Sequence, residues 1–507
     1  MLDRARALDD ATRRVFDALI IGGGITGAGI ARDAAMRGLG VALIDKGDFA
    51  SGTSSRSSRL VHGGVRYLEH GHLHLVFEAS AERRRLLRLA PRLVRPLAFT
   101  WPVYRGQRLS RWKLSAGLTL YDALALFRNV ERHRRLNTHD LIDVEPRVNR
   151  QGLRGGVRYY DAATDDARLT LANILDARQL GAVVLNHVTM LESRRTSDMT
   201  VVRAREELSG ADVEIRARVL VNAAGPWTDD VRRREGDGTT SRVQGSKGAH
   251  IAVPRERVGN RDAITLLHPR DARVMFVIPA GAHAIIGTTD TFTDESADDV
   301  RATETDVAYL LEAANFVFPD ATLCRNDVVS AWAGIRPLLP SGGAEGSASR
   351  EHVVERGAGA VTITGGKLTT YRVMAQQAVD AAVQLLGRAG ARATTDGRAL
   401  PDETPVQPGL SAAEFAASSS GDVLTHGLPY TMEHMRRGVT HELACTLGDL
   451  LVRRTHVAFE TRDHGRAVAR AVAPAVAPLL RWDADRTARE LERYDAEVRR
   501  IFSVDAG

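Results

Sequence analysis

The sequence predicts a mixed fold, α/β and α+β, with a Rossmann-like dinucleotide-binding unit, an antiparallel sheet and a C-terminal helical domain. Three observations predict this architecture in a chain of 507 residues. A strand, a glycine-rich turn, a helix and a second strand occupy residues 17–45. Strand-like segments at about 249–290 and 328–340 are typical of an antiparallel sheet. Residues 410–507 are nearly all compatible with helix.

The first observation is a complete dinucleotide fingerprint. An apolar strand at 18–21 runs directly into Gly22, which permits a tight turn, and Gly24, which lets backbone N–H groups approach a pyrophosphate. Gly27 lets the following helix pack closely on the sheet, and the helix N-terminus then faces the phosphates. Asp45 ends the second strand eighteen residues later, where a carboxylate accepts hydrogen bonds from both hydroxyls of an adenosine ribose. An arginine there would instead indicate a 2′-phosphate.

Further elements follow from periodicity and capping residues. Apolar spacing predicts a helix over about 72–90. Asp165 or Asp166 is the expected N-cap of a second helix, which a strand follows. A strand and glycine turn precede a helix expected at about 368–386, and the apolar period then disappears over 388–409, which we interpret as a linker.

Composition limits the chemistry. The net charge of +6 favours anionic lipid, nucleic acid or phosphorylated metabolites, but the basic residues are dispersed and no nucleic-acid module is present, so no nucleic-acid partner is predicted. No apolar segment reaches the roughly twenty residues that span a bilayer, and the start is charged, so we expect a cytoplasmic protein. Cys324 and Cys445 support neither a disulfide framework nor a metal site. Redox chemistry would therefore need an organic cofactor.

Lysine is rare enough to be informative. Of 69 basic residues only four are lysines, and Lys247 and Lys367 both lie in glycine-rich motifs, which makes these two the more informative ones. Ser54 and Ser55 lie in a hydroxyl-rich segment after the first βαβ unit and can hydrogen-bond phosphate. A flexible linker is the alternative interpretation of that segment.

Taken together, the motifs resemble those of the FAD-dependent glycerol-3-phosphate dehydrogenases, of the membrane-associated, quinone-reducing kind. Beside the fingerprint, the resemblance rests on ordered motifs at 47–55, 61–69, 222–227, 287–290, 333–338, 349–352 and 365–372. It implies the glutathione-reductase/D-amino-acid-oxidase type of FAD-binding domain within an oxidoreductase region at 1–390, then a linker at 391–409 and a C-terminal helical domain at 410–507. The resemblance implies that the FAD-binding parts, at about 14–66, 150–240 and 345–390, are interleaved with an antiparallel-sheet substrate domain. The substrate-domain parts are about 67–149 and 241–344.

The resemblance also implies a reaction. The family oxidises sn-glycerol 3-phosphate to dihydroxyacetone phosphate by hydride transfer from C2 to flavin N5, and it passes the electrons to membrane quinone. The alternatives are an oxidase that uses O₂, a flavin-dependent amino- or hydroxy-acid dehydrogenase on the same scaffold, and a flavin-binding protein without turnover. Because no spanning helix is expected, contact with an anionic membrane would be peripheral, through 112–127 or 467–480, on its cytoplasmic face. A homodimer is compatible with the resemblance.

The resemblance assigns site residues by motif. His250 is the expected base, since an imidazole titrates near working pH, and Arg336 would polarise the developing alkoxide. The sequence departs from the family where Asp45 replaces a longer glutamate and Ala249 a common serine. The expected substrate-binding residues are Arg66, Tyr67, Arg350, Lys367 and Thr369, and the expected cofactor-binding residues are Gly22, Gly24, Ile25, Thr26, Gly27, Asp45, Lys46, Thr53, Ser54, Ser55, His62, Gly63, Gly64, Val188, Ala224, Gly225, Gly366, Lys367 and Leu368.

Overall fold

Two sheets and a C-terminal group of helices form the architecture, which confirms the predicted fold class. The computed structural model describes residues 2–64, 73–124, 130–236, 241–340, 351–388, 392–401 and 423–506. In chain order the strands are β1 (Val15–Ile21), β2 (Val41–Ile44), β3 (Leu60–Val61), β4 (Val94–Tyr104), β5 (Arg134–Leu136), β6 (Leu153–Thr164), β7 (Val183–Leu185), β8 (Val188–Arg195), β9 (Thr200–Glu206), β10 (Ala211–Asn222), β11 (Gln244–Pro254), β12 (Ala263–Leu267), β13 (Val274–Ala280), β14 (His283–Gly287), β15 (Thr291–Phe292), β16 (Ser330–Leu338), β17 (His352–Arg356) and β18 (Ala360–Gly365).

Helices cover both sheets and build the C-terminal region. The helix predicted over 72–90 is present, and Asp165 caps its predicted helix by accepting the N–H of Arg168 at 2.9 Å. In chain order the helices are α1 (Leu2–Arg13), α2 (Ile25–Met36), α3 (Leu73–Leu89), α4 (Arg111–Leu124), α5 (Thr138–Val144), α6 (Asp166–Gln179), α7 (Thr228–Arg234), α8 (Arg255–Val258), α9 (Glu304–Val317), α10 (Tyr371–Leu385), α11 (Met432–Thr440), α12 (Val457–Glu460), α13 (Arg466–Leu480) and α14 (Ala484–Phe502).

The first sheet has a parallel centre. Its order is β17-β18-β10-β1-β2-β7, and the neighbouring pairs from β18 to β7 are parallel. The β8–β9 hairpin continues antiparallel from β10. The strands are apolar on both faces because α2, α6 and α10 cover one face and α1 packs against the other, as a parallel sheet requires.

The second sheet is almost wholly antiparallel. Its order is β15-β11-β14-β13-β12-β4-β6-β3, with β16 beside β11 and β5 beside β6, and only β12 and β4 run parallel. Strand β6 was expected to open the second FAD-binding part, but it pairs with β3 and β4 in this sheet. The parallel layer resumes with α6, because Asp165 ends β6 and caps that helix.

Buried ion pairs fasten the C-terminal helices to the first sheet's loops. The Asp48 carboxylate accepts hydrogen bonds from Arg453 at 2.6 Å and from Arg454 at 2.7 Å, and all three side chains are nearly inaccessible. Arg168 likewise forms a bidentate pair with Glu442. The carboxylates of Asp48 and of the neighbouring Asp449 are thus occupied by guanidinium and imidazole groups.

Candidate functional site

The glycine turn after β1 adopts a conformation that only glycine fills comfortably. Gly22 has φ +109°, and a Cβ on it would lie 2.6 Å from the carbonyl oxygen of Ala223. A Cβ on Gly27 would lie 1.9 Å from the carbonyl oxygen of Gly22, so α2 can approach the sheet only because this residue has no side chain. Ser54 Oγ accepts the N–H of Ile25 at 2.9 Å, which fixes the hydroxyl-rich loop against the first turn of α2.

The end of β2 faces the glycine turn, and residues 22–24 together with Asp45 form a cradle. Asp45 accepts the N–H of Gly23 at 2.6 Å and that of Gly47 at 2.8 Å. Burial raises the pKa of Asp45, while these two hydrogen bonds act in the opposite direction. Its backbone carbonyl accepts the N–H of Val188 at 2.7 Å. The Asp45 carboxylate and the glycine turn therefore fix each other's position. Asp45 also lines the cavity described next.

A long cavity of about 350 Å³ runs from this cradle to the second sheet. Both catalytic candidates line it, and so do most of the predicted cofactor-binding residues. The predicted residues on its wall are Gly22, Gly24, Ile25, Thr26, Asp45, Lys46, Thr53, Ser54, His62, Gly64, Val188, Ala224, Gly225, His250, Arg336, Gly366, Lys367, Leu368 and Thr369.

Some predicted residues lie elsewhere. Gly27 acts in helix packing, and Ser55 is buried behind the cavity wall. Gly63 donates its N–H to Asp161 at 3.1 Å, also behind the wall. Lys247 forms ion pairs with Asp306 and Glu295 rather than facing the cavity, because its position on β11 directs it to the opposite side of the sheet from His250. Arg66, Tyr67 and Arg350 lie outside the described residues.

Strands β11 and β16 place the catalytic candidates on one face. In their antiparallel register Ser246 opposes Arg336, Gly248 opposes Gly334, and His250 opposes Trp332. The two-residue alternation directs these side chains to the same side. A Cβ on Gly248 would lie 2.2 Å from the Arg336 guanidinium, so a glycine there makes the room that the arginine occupies.

Arg336 is held by acceptors on its inner side. It donates to Thr288 Oγ1 at 2.9 Å and lies 3.3 Å from the Asp290 carboxylate, which is buried. Ser246 Oγ donates to the same carboxylate at 2.5 Å. The guanidinium is thus oriented by neighbours before any ligand binds, while its own edge lines the cavity.

His250 is almost completely buried. Its ring stacks on Trp332 with centroids 5.5 Å apart, and Nε2 lies 2.8 Å from Ser58 Oγ. Burial, together with the Arg336 and Arg59 guanidiniums, lowers the pKa of His250 to about 3. The imidazole is consequently neutral near pH 7 in the ligand-free protein, which is the state a base requires.

The third wall comes from the turn after β18. Lys367 follows the glycine pair and precedes a short 3₁₀ turn at 368–370 that leads into α10, whereas the sequence predicted helix from residue 368 onward. Thr369 Oγ1 lies 3.2 Å from both the backbone nitrogen and the carbonyl oxygen of His62. Its hydroxyl therefore joins two motifs that both line the cavity.

Several residues of the cavity wall were not predicted from the sequence. Ser58 belongs to the hydroxyl-rich segment, and its proximity to His250 had no linear signal because the two are 192 positions apart. Thr288 lies in a motif that carried the resemblance but had no assigned role. An aromatic wall is formed by Phe99, Trp101, Tyr159 and Phe276 from the second sheet. In the sequence, aromatic residues at alternating positions of a strand cannot be distinguished from residues of the hydrophobic core.

The cavity fits FAD. A pyrophosphate needs close backbone approach at a helix N-terminus, and the three-glycine cradle ahead of α2 supplies it. A ribose needs a carboxylate at the end of the second strand, and Asp45 lies there. A flat tricyclic ring needs a mainly apolar surface, and the cavity is lined both by the four aromatic side chains of the second sheet and by the glycine turn at 365–366.

Comparisons with known proteins agree. A family model described as FAD dependent oxidoreductase matches residues 17–372, and one described as the C-terminal domain of alpha-glycerophosphate oxidase matches residues 361–487. Glycerol-3-phosphate dehydrogenase of Mycobacterium leprae is 38% identical and covers 98% of this chain and 90% of that protein. Aerobic glycerol-3-phosphate dehydrogenase of Staphylococcus saprophyticus is 38% identical over 75% of this chain and 69% of that protein.

A solved structure extends the agreement to three dimensions. The glycerol-3-phosphate dehydrogenase from Bacillus halodurans, solved in complex with FAD, superposes with a TM-score of 0.78 at 30% identity, covering 98% of this chain and 97% of that one. The protein is therefore an FAD-dependent oxidoreductase. The chain belongs to the family of FAD-dependent glycerol-3-phosphate dehydrogenases.

Proposed function

We propose that this enzyme oxidises sn-glycerol 3-phosphate to dihydroxyacetone phosphate and delivers the electrons to membrane quinone. The observation that carries the proposal is that Arg336, Lys367 and His250, from three separate strands and turns, line one cavity beside the FAD cradle. Relatives at 38% identity bear the name of this dehydrogenase. A hydroxy-acid or amino-acid substrate would use one cation for its single carboxylate, whereas a phosphate dianion uses several.

The phosphate is bound by cations. Charge-assisted hydrogen bonds to a phosphate contribute roughly 1.5–3 kcal/mol each, so a few of them hold a dianion in one register. Lys367 lies on the cavity wall, and Arg66, Tyr67 and Arg350 join it in the proposal on their motifs. Thr369 supports this group through the His62 backbone rather than through a free hydroxyl.

Oxidation at C2 requires the loss of a hydride and of the hydroxyl proton. Bound FAD supplies the acceptor for the hydride. Arg336, already fixed by Thr288 and Asp290, directs positive charge at the oxygen as it becomes an alkoxide. His250 takes the proton. Burial is the main cause of its lowered pKa, and a dianionic substrate placed among the cations offsets the smaller part that comes from Arg336 and Arg59.

The electron acceptor decides between dehydrogenase and oxidase. Quinone is proposed from the resemblance to the quinone-reducing enzymes. The oxidase alternative has one specific support, the match of residues 361–487 to the C-terminal domain of alpha-glycerophosphate oxidase. On this proposal residues 1–390 carry the redox chemistry, and the helical domain at 410–507 closes over the FAD-binding loops.

Access to quinone calls for a peripheral membrane contact on the cytoplasmic face. Every described helix is too short or too polar to cross a bilayer. Helices α3 and α4 share a buried cluster through Val76 and Leu118, while Phe77 and Trp112 are exposed on their outer sides. Arg135 lies 4.2 Å from the Trp112 ring. An aromatic residue beside a cation suits the interface of an anionic membrane.

The other membrane candidate is a poorer one. The apolar face of α13, which includes Val468, Val472 and Val476, packs against the C-terminal cluster and is buried. We therefore assign the membrane contact to α3 and α4. Binding of Trp112→Glu to vesicles containing anionic phospholipid should fall at least about tenfold relative to wild type. Unchanged binding would remove α4 from the contact.

One experiment tests the reaction and its acceptor. Anaerobic mixing with sn-glycerol 3-phosphate should bleach the flavin absorbance and yield dihydroxyacetone phosphate. Reduced protein mixed separately with a quinone analogue and with O₂ should be reoxidised faster by the quinone. Faster reoxidation by O₂ with release of peroxide would establish the oxidase, and failure to bleach would reject the substrate.

A further inference from the structure

The buried position of His250 restricts how a proton can reach it. Only Nε2 contacts a polar group of the cavity wall, and that group is Ser58 Oγ at 2.8 Å. Nδ1 is shielded from solvent and has no hydrogen-bond partner among the described residues. Ser58 is partly accessible, whereas His250 is 2% exposed. Both residues line the cavity, and Ser58 offers a substrate hydroxyl the more accessible polar group of the two.

Ser58 is held in position by the contacts of the residues on either side of it. Ser57 Oγ donates to Asp166 at 2.6 Å on one side, and Arg59 on the other side has φ +54° with its carbonyl accepting the N–H of Thr164 at 2.9 Å. The imidazole is equally fixed, by stacking on Trp332 and by the close packing of Gly287, where a Cβ would lie 2.2 Å from the ring. Neither partner can move aside without disturbing buried neighbours.

We propose that Ser58 is a catalytic residue that relays the proton from the C2 hydroxyl of the substrate to Nε2 of His250. The inference rests on the proposed function and adds a residue to it. It gives His250 the role of final proton acceptor without direct contact with the substrate.

The C2–H bond breaks and its electron pair leaves with the hydride, which FAD accepts, so the substrate is oxidised and FAD reduced by two electrons. The hydroxyl proton passes to Ser58 Oγ while the proton of Ser58 passes to Nε2, and the C2–O bond becomes a carbonyl. The reverse path returns the proton from the imidazolium to water after the product leaves. For Nε2 to accept, the resting ring carries its proton on Nδ1.

The test uses the FAD-loaded protein in four forms: wild type, Ser58→Ala, Ser58→Thr and the control Ser115→Ala. Ser115 Oγ also contacts an imidazole, at 3.1 Å from Nε2 of His133, but neither residue lines the cavity, so this variant removes a serine hydroxyl without affecting the relay and should bleach like wild type. The rate of anaerobic flavin bleaching is measured by stopped flow in mixtures of H₂O and D₂O. The protonation of His250 is followed separately by ¹⁵N NMR without substrate, with His250→Gln identifying the resonance.

The relay predicts that Ser58→Ala slows bleaching by about 100-fold, the lower end of general acid–base effects, while substrate affinity changes by less than about threefold. Ser58→Thr keeps a hydroxyl and should recover to within about tenfold of wild type. The dependence on the D₂O fraction should be curved in wild type, for two protons in motion, and linear in Ser58→Ala. The NMR spectrum should show the Nδ1–H tautomer, with an Nε2 resonance that shifts on Ser58→Ala.

Other results overturn the relay. A Ser58→Ala variant that bleaches within about threefold of wild type would do so, as would a linear D₂O dependence in wild type, which needs no variant to fold. A resting Nε2–H tautomer would also reject it. If wild type is not bleached at all, the proposed substrate fails, and the NMR result still decides whether Ser58 and Nε2 are paired as the relay requires.

Discussion

Replacing Gly27 by alanine tests whether the glycine turn is built for FAD. The new Cβ would lie 1.9 Å from the carbonyl oxygen of Gly22, and the nearest separation that real Cβ atoms show is 3.0 Å. Because the contacted oxygen belongs to the backbone and cannot rotate away, the start of α2 has to move by roughly 1 Å. A hydrogen bond from its first turn to the pyrophosphate would then be lost.

The loss of one charge-assisted hydrogen bond costs roughly 1.5–3 kcal/mol, which weakens FAD binding roughly 10- to 150-fold. The assay is reconstitution of apoprotein with FAD, followed by quenching of flavin fluorescence. Gly117→Ala is the matched control, since a Cβ there meets nothing within 4 Å. In the middle of α4 that change should stabilise the fold by about 0.5–1 kcal/mol and leave FAD affinity unchanged. Equal FAD affinity in Gly27→Ala and wild type would refute the reasoning.

Three further outcomes are expected. Asp290→Asn removes the charged partner of Arg336, and stopped-flow bleaching should slow by about tenfold or more with little change in substrate affinity. Arg454→Met leaves the buried Asp48 with one guanidinium fewer, and chemical denaturation should show a loss of about 3–5 kcal/mol. The pKa of His250 is lowered from 6.5 to about 3, so the unfolded chain binds a proton that the folded one refuses as pH falls through that interval. As the pH falls from about 6.5 to about 3, the free energy of unfolding should therefore decrease by about 1.4 kcal/mol more per pH unit in wild type than in His250→Gln.

Each of these has a control. Asp212→Asn, an exposed ion-pair partner on β10, should bleach like wild type, and an equal slowing in both variants would show that Asp290 does not position Arg336. Arg436→Met removes an exposed pair to Glu433 and should cost less than about 1 kcal/mol. A cost for Arg454→Met as small as that would contradict the buried-pair argument. Identical pH dependence in wild type and His250→Gln would show that the imidazole does not stay neutral.

The sequence predicts the site best where short connections along the chain leave few possible arrangements. The turn at 22–27 and the acid at position 45 are tied to neighbouring strands by short connections, so their arrangement follows from the chain alone. Arg336 and His250 were identified only through a family resemblance, since strand alternation places them on one face but no local signal pairs β11 with β16.

Misplaced residues have equally physical reasons. Lys247 was expected to be informative because lysine is rare, yet its place one residue out of phase with Ser246 and Gly248 turns it toward the acids Asp306 and Glu295. Gly63 lies in the right motif, but tight packing against Tyr121 and Ser80 places it behind the wall. A motif indicates which residues lie near the ligand, whereas strand alternation and local packing decide which of them face it.

The central claim is that glycerol 3-phosphate binds beside FAD with its C2 hydroxyl toward Arg336 and the Ser58–His250 pair and with its phosphate toward Lys367. It is tested most directly by anaerobic bleaching of the flavin with ordinary substrate and with substrate that carries deuterium on C2. The account predicts complete bleaching by both, with the deuterated compound distinctly slower because the C2–H bond breaks in that step. Bleaching at the same rate by both compounds, or none by either, would contradict it.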